Sequence, residues 1–347
     1  MAWKLLLVLA LVLCPGLASA SSGAAKGLAA SVQGATVPGL PYRFVAISPN
    51  SPYRAGASRP RASGFTVLSR IDKRGGRVHR WWYLPGHYSI PSAAFDDRAG
   101  GLSADGSTLV LDRFSWIYPP RSTRLAIVHT ERQPRRAPGE GPPQPAIERL
   151  HLSGSFSFDA ISPDGSTVYL IEHLSRLFGG AYQVRALDVS SGELDPVPIV
   201  DPAEPMERME GIPISRAYSR DGRWAYTLYT SHQKGKYELA HEPFVHALDT
   251  VSGEAVCIDL PQLEGRPNRF LLRLRAERNG RELEVFSKAQ VRQRPSSPPL
   301  LTVDTRSFEV RRPEPVAAAS GGVGALPPIA ALGVIGLALA AWIGRRR

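Results

Sequence analysis

Cysteine is almost missing from this chain, with two residues in 347. A disulfide-stapled fold is therefore excluded. Lysine is scarce as well. Six residues, at 4, 26, 73, 234, 236 and 288, leave nearly all the positive charge to Arg. No amphipathic helix pattern of about 10–15 residues separates the strand-like runs, which argues against βαβ units. Recognisable chemistry is thin too. There is no Gly-x-Ser-x-Gly elbow and no phosphate-cradling glycine-rich loop. His241-Glu242-Pro243-Phe244-Val245-His246 is one residue too long for a zinc-protease pair, and Pro243 breaks the helix such a pair requires. No catalytic residue, metal ligand or cofactor is assigned. What remains is 43% hydrophobic and 21% charged, which excludes wholesale disorder and collagen-like fibres.

The two ends read as address signals. Lys4, the apolar run Leu5 to Leu13 and Ala18-Ser19-Ala20 form a secretory signal over 1–20. Removing it leaves Cys257 as the one mature cysteine, unable to bridge and placed in a strand-like Ala255-Val256-Cys257-Ile258. At the other end, 326–344 is uncharged and apolar, and Arg345, Arg346 and Arg347 follow at once. This predicts one transmembrane helix with a basic cytoplasmic tail at 345–347 and the remainder outside. The order of motif, apolar helix and basic tail resembles bacterial C-terminal sorting signals, although Leu326-Pro327-Pro328-Ile329-Ala330 lacks the Thr and Gly of a sortase motif. Residues 21–41 and 313–325 read as flexible linkers. Between 21 and 325 the chain holds 38 basic and 31 acidic residues, a net of +7. Base and acid are interspersed. An exported chain of this kind has no reason to meet nucleic acid, and a cell-wall polymer or envelope protein is the more natural partner.

The middle, 42–312, is one unit repeated. Leu102-Ser103-Ala104-Asp105-Gly106-Ser107-Thr108 matches Ile161-Ser162-Pro163-Asp164-Gly165-Ser166-Thr167 and Tyr218-Ser219-Arg220-Asp221-Gly222-Arg223-Trp224. The Asp-Gly anchors are 59 and 57 residues apart, Asn279-Gly280 follows 58 later, and a degenerate Ile47-Ser48-Pro49-Asn50 precedes them. A second series runs out of phase: Val184-Arg185-Ala186-Leu187-Asp188 to Ser191-Gly192, and Val245-His246-Ala247-Leu248-Asp249 to Ser252-Gly253. Weaker copies end at Asp72 and Asp304, and Leu125 to His129 is another. Glycine after Asp or Ser between β-rich runs is a hairpin signal. Each copy holds roughly four strands, A to D. The fold class is therefore all-β, a β-propeller of about five four-stranded blades, or six if a long insertion hides strands. Residues 161–192 and 218–253 resemble YVTN-type and WD-repeat-like bacterial propellers. That resemblance implies a fold and no single activity.

In such a meander the Asp-Gly (A–B) and Ser-Gly (C–D) turns share one face, and the B–C and D–A loops share the other. The extra length of each copy falls on the second face, where binding is expected. The aromatic and His residues of those loops are the candidate ligand contacts: Trp81, Trp82, Tyr83, His87, Trp116, Tyr118, His232 and Tyr237. Tyr88, Phe114 and His241 stand beside them, and the 201–212 loop carries Glu204, Glu207 and Glu210. Asp105, Gly106, Asp164, Gly165, Asp221, Gly222, Asn279 and Gly280 are read as turn-forming anchors. The functional expectation is a membrane-anchored binding or scaffold module for a glycan, peptide or protein of the envelope. The alternative is a secreted hydrolase or lactonase-like enzyme with its site in the central channel.

Overall fold

A computed structural model describes residues 34–48, 64–96, 98–113, 120–131, 145–176, 179–206, 208–230, 242–264, 266, 269–277, 279–289 and 297–313. These form five antiparallel sheets in which each strand pairs with its neighbour in sequence. The first sheet is β1 (Tyr42–Ile47), β2 (Phe65–Asp72) and β3 (Val78–Pro85). The second is β4 (Tyr88–Ser89), β5 (Thr108–Arg113), β6 (Ser122–His129) and β7 (Ala146–Ser153). The third is β8 (Phe156–Ile161), β9 (Thr167–His173) and β10 (Tyr182–Asp188). The fourth is β11 (Ile212–Tyr218), β12 (Trp224–Thr230), β13 (Phe244–Asp249) and β14 (Ala255–Asp259). The fifth is β15 (Leu272–Ala276), β16 (Glu282–Ser287), β17 (Leu301–Asp304) and β18 (Val310–Arg311).

The first turn type is a serine–aspartate latch. Ser103, Ser162 and Ser219 each donate a hydroxyl to the Asp two residues on, at 2.5, 2.6 and 2.6 Å. Each of those hydroxyls accepts the amide five residues on, from Thr108, Thr167 and Trp224. The glycine that follows closes the turn onto the Ser carbonyl at φ near +75°, a conformation open to glycine without strain. The second type is an aspartate loop in which Asp72, Asp249 and Asp304 accept backbone amides two and three residues on, and Asp188 accepts the Ser190 hydroxyl and the Ser191 amide. Gly76, Gly192 and Gly253 donate back to the same Asp carbonyl, and at the last copy Phe308 does so with φ +57°. Phe308 packs edge-on against Trp224 at 5.6 Å, which offsets the backbone strain that glycine would avoid.

The sheets pack face to face in chain order. Alternate residues of each strand feed one of two cores. Phe44, Leu68, Trp82 and Leu84 meet Leu109 and Leu111 between the first and second sheets. Val110, Leu125 and Ile127 meet Phe158, Val168 and Leu170 between the second and third. Tyr169, Ile171, Tyr182 and Val184 meet Tyr229 and Leu248 between the third and fourth. Leu228, Val245 and Ala247 meet Leu274, Val285 and Val303 between the fourth and fifth. Among the described residues no such cluster joins the fifth sheet to the first. The latches of the middle sheets also touch: the Asp105 amide donates to the Pro163 carbonyl at 3.1 Å, and a Cβ on Gly222 would lie 3.0 Å from Ala104.

The structure departs from the expected regular four-stranded blades at three points. In the third sheet the outermost strand is reduced to three isolated bridges, Leu187 with Leu194, Val184 with Ile199 and Tyr182 with Met209. Pro196 and Pro198 in that segment have no N–H to give a ladder. In the first sheet the outer turn is the Asp72 loop, so β2 and β3 correspond to strands C and D. The A position is then held by a single bridge from Ala35 to Phe44, and Ile47 ends a strand rather than opening the expected latch. In the second sheet β6 and β7 are joined by 130–145, so one C–D connection is long. The transmembrane helix expected over 326–344, like the signal over 1–20, lies outside the described residues. Among the described residues no helix is long and apolar enough to cross a membrane.

Candidate functional site: a pocket at the end of a buried polar seam

The inner strands meet around a buried ion pair. Asp159 on β8 and Arg216 on β11 face each other, at 0% and 2% exposure. Both strands carry a bulge here, with register shifts between Phe158 and Ala160 and between Pro213 and Ser215. A bulge re-aims a side chain, and at Asp159 it supplies the buried charge that Arg216 answers. Burial alone would lower the Arg216 pKa, yet Asp159 holds it raised. The segment between β4 and β5 reaches across to the same place. Asp96 accepts the Arg216 amide at 2.8 Å and the Ser215 hydroxyl at 3.0 Å, while Ser215 accepts the Leu274 amide of β15 at 3.0 Å. Four sheets are thereby tied together at the axis. Asp159 and Arg216 are closed off from solvent among the described residues.

From the axis a polar seam runs outward between the third and fourth sheets. Asp159 Oδ2, two Arg216 nitrogens, both His246 ring nitrogens and the Thr227, Tyr229 and Tyr182 hydroxyls are buried without a hydrogen-bond partner among the described residues. Burial keeps His246 below its ordinary pKa and therefore neutral at pH 7. Burial pushes the Tyr229 and Tyr182 phenols well up, with Asp159 adding to both. The rings form a stack. Tyr182 lies 5.1 Å from Tyr229, and Tyr229 lies 5.1 Å from Phe244.

The outer end of the seam opens into a pocket of about 290 Å³. Tyr182 comes from the third sheet, Phe244, Cys257 and Asp259 come from the fourth, and residues of 198–206 and 208–210 complete the lining. All these positions lie at the end of the sheets opposite the latches, on the long-loop side. Asp201 pins the 198–206 stretch to the sheet: Oδ2 accepts the Cys257 amide at 2.7 Å and Oδ1 the Ala203 amide at 2.8 Å. Burial and the neighbouring Glu204 charge raise the Asp259 pKa. The walls combine apolar groups with carboxylates.

The residues singled out from sequence fall in different places. Trp81 and Tyr83 project from β3 on the outer face of the first sheet, 50% and 53% exposed, beside Phe65. Trp82, between them, points the other way into the first core at 3% exposure, as strand alternation requires. Tyr88 is buried in that same core, and His87 packs against Gly64, where a Cβ would collide with the imidazole. Glu204 and Glu210 line the pocket. Trp116, Tyr118, His232, Tyr237, Phe114, His241 and Glu207 lie outside the described residues. Sequence reasoning missed Asp201, Glu242, Cys257 and Asp259 as pocket residues. The signal for them was their position on the long-loop ends of the third and fourth repeats.

A scan against protein-family models finds no match, and a search of curated proteins finds none. Among solved structures, TolB of Acinetobacter baumannii superposes with a TM-score of 0.33 at 13% identity, over 79% of this chain and 58% of that one. The Cps50 (Swd1) β-propeller domain of Myceliophteria thermophila gives 0.35 at 13% identity, over 65% and 57%. The β-propeller domain of the Trilobed protease of Pyrococcus furiosus gives 0.40 at 9% identity, over 80% and 69%. The chain thus spans less than two thirds of the first two.

Proposed function

We propose that this chain is an exported, membrane-tethered binding module, a five-bladed β-propeller whose ligand site is the pocket between the third and fourth sheets. One observation carries the reading. The described cavity of about 290 Å³ sits where the long loops of two neighbouring repeats converge, while the acids on the axis are sealed by Arg216. Long connections on a rigid sheet scaffold are where recognition is usually placed. The secretory-type leader, the apolar 326–344 and the Arg tail support display on the outer side of a membrane, where a cell-wall polymer or an envelope protein supplies the ligand. The exposed aromatic face of Trp81 and Tyr83 lies on a different sheet and is a separate surface.

The test uses the full chain, purified in detergent and immobilised, and offered fractions of cell-wall polymer and of envelope protein. Val200→Trp fills the pocket from its own lining, and Trp81→Ala/Tyr83→Ala strips the aromatic face. Retention of a ligand that falls about ten-fold in the first variant only is the expected result. Equal retention by wild type and Val200→Trp sinks the proposal.

A further inference from the structure

We propose that this pocket recognises a cation carried on an apolar body, an ammonium or guanidinium group at the end of a short hydrophobic stem. The inference rests on the reading of the pocket as the ligand site and names the ligand's chemistry.

Charge is the first observation. Among the described residues the lining holds five carboxylates, Asp201, Glu204, Glu210, Glu242 and Asp259, and one base, Arg208. The chain as a whole has a net charge of +11, so the sign of this concavity opposes that of the protein around it. Clefts lined by one sign of charge concentrate ligands of the other. The acids come from three separate stretches, 201–210, the entry to β13 and the end of β14. Their gathering is tertiary, unlike a run of acids along one solvated face. Their crowding is felt, since the Glu204 charge and burial both act to raise the Asp259 pKa. A bound cation removes that repulsion, whereas an anion would add to it.

The second observation is independent of the carboxylates. Tyr182 lines the pocket and is 3% exposed, and its phenol, set against that of Tyr229, meets no hydrogen-bond partner at bonding distance among the described residues. That hydroxyl stands where the seam meets the pocket, within electrostatic range of Tyr229, of Cys257, which also lines the pocket, and of Asp159. A buried polar group without a partner is costly and marks a place where a bound molecule completes the bonding. Held protonated by burial, the phenol keeps its oxygen lone pairs as acceptors for an N–H donor.

The walls suit the stem. Phe244 and Tyr182 present aromatic surface, which attracts a cation as well as an alkyl chain, and Met209 and Val200 add apolar contact. At about 290 Å³ the cavity is at the small end of ligand pockets. It fits one side chain or one small amine, and is too small for a folded surface.

Calorimetric titration of the full chain at about pH 7.5 with hexylamine, hexanol and hexanoate isolates the charge, because the three probes share one stem. Hexylamine is expected to bind about ten-fold or more tightly than hexanol, hexanoate is expected not to bind, and the preference is expected to shrink in high salt. Glu204→Gln/Asp259→Asn, two exposed positions that leave the fold intact, is expected to cut hexylamine affinity about ten-fold without changing hexanol. Tyr182→Phe is expected to weaken hexylamine several-fold. Spermidine and acetyl-Gly-Lys-Gly-amide then separate the two sources of the group, a free polyamine or a basic protein side chain. Equal binding of hexylamine and hexanol, with both lost in Val200→Trp, overturns the cation while leaving the pocket as a ligand site. Failure of every probe, together with unchanged retention of envelope ligands by Val200→Trp, overturns both readings.

Discussion

Asp159 and Arg216 occupy the same position in successive repeats, each five residues before an Asp-Gly anchor, and their side chains pair between neighbouring sheets. The 57-residue separation that makes them equivalent in sequence also puts them on the inner strands of neighbouring sheets. The same position in the next repeat is Leu274, and in the preceding one Gly100, where a Cβ would strike Phe158 at 2.7 Å. One ring of equivalent sites thus holds an acid, a base, an aliphatic residue and a gap for a neighbouring ring.

Removing one partner of this pair leaves a buried charge unanswered. Asp159→Asn and Arg216→Met are each expected to lower unfolding free energy by about 3–5 kcal/mol. The double replacement Asp159→Leu/Arg216→Met is expected to recover most of that loss, because no charge is then buried. Denaturant melts of the four proteins check this. A double variant as unstable as the sum of the singles would contradict it.

Gly165 and Gly280 stand at the same turn position, with φ of +73° and +69°. A Cβ on Gly280 meets nothing within 4 Å, whereas one on Gly165 drives into Thr108 of the neighbouring sheet. Gly280→Ala is therefore expected to cost about 1–2 kcal/mol of left-handed backbone strain. Gly165→Ala is expected to cost about 1–3 kcal/mol more through overpacking. Equal shifts in melting temperature would show that the second and third sheets do not interlock at this turn.

His246 is buried as the neutral imidazole, with Asp159, Arg216 and Asp201 as the charges acting on it. Its folded pKa is depressed, so its contribution is complete above the unfolded value of about 6.5 and is lost as pH falls toward the folded value. Unfolding free energy is expected to decline below about pH 6.5. His246→Phe is expected to flatten that decline between about pH 6.5 and 4.5, before carboxylates such as Asp164 and Asp221, whose pKa values the latches depress, begin to protonate. A slope unchanged by the substitution would exclude His246 as its source.

Trp81 and Trp82 are adjacent in sequence and opposite in environment. Trp82→Ala is expected to cost about 3–5 kcal/mol through the void left between the first two sheets. Trp81→Ala is expected to change stability by less than about 1 kcal/mol. Tryptophan emission and acrylamide quenching, read with the melts, report the same contrast. A destabilising Trp81→Ala would mean that its outer face is covered.

Much of the architecture was legible because it is local. The latch needs a hydroxyl, an acid and a glycine at fixed spacing, and the second turn needs an acid four residues before a residue at positive φ. Both recur in sequence as they do in space. Legibility ended where a copy lost its marker. Phe308 holds a glycine's place, so the last turn of the second series was marked by Asp304 alone. Pro196 and Pro198 reduce a strand to isolated bridges. In the first sheet the Ile47 copy of the latch falls at the end of a strand that pairs directly with β2, the strand leading into the Asp72 turn. The exposed pair Trp81 and Tyr83 was separable from Trp82 by strand period alone, once β3 was known to be one continuous strand.

The sequence alone determined the repeat, its turns and the all-β class, since each depends on residues within one turn of one another; the side on which extra chain accumulates it gave only in part, because the 130–145 connection of the second sheet lies on the other side. Glu204 and Glu210 were already visible as acids in a long loop. Only the tertiary structure decided that Asp201, Glu242 and Asp259 join them, that Tyr182 stands behind them, and that Asp159 is answered by Arg216. Those groups are brought together by the stacking of whole sheets. No spacing rule along the chain records which faces meet when sheets pack, because that is set by the summed apolar contact between them.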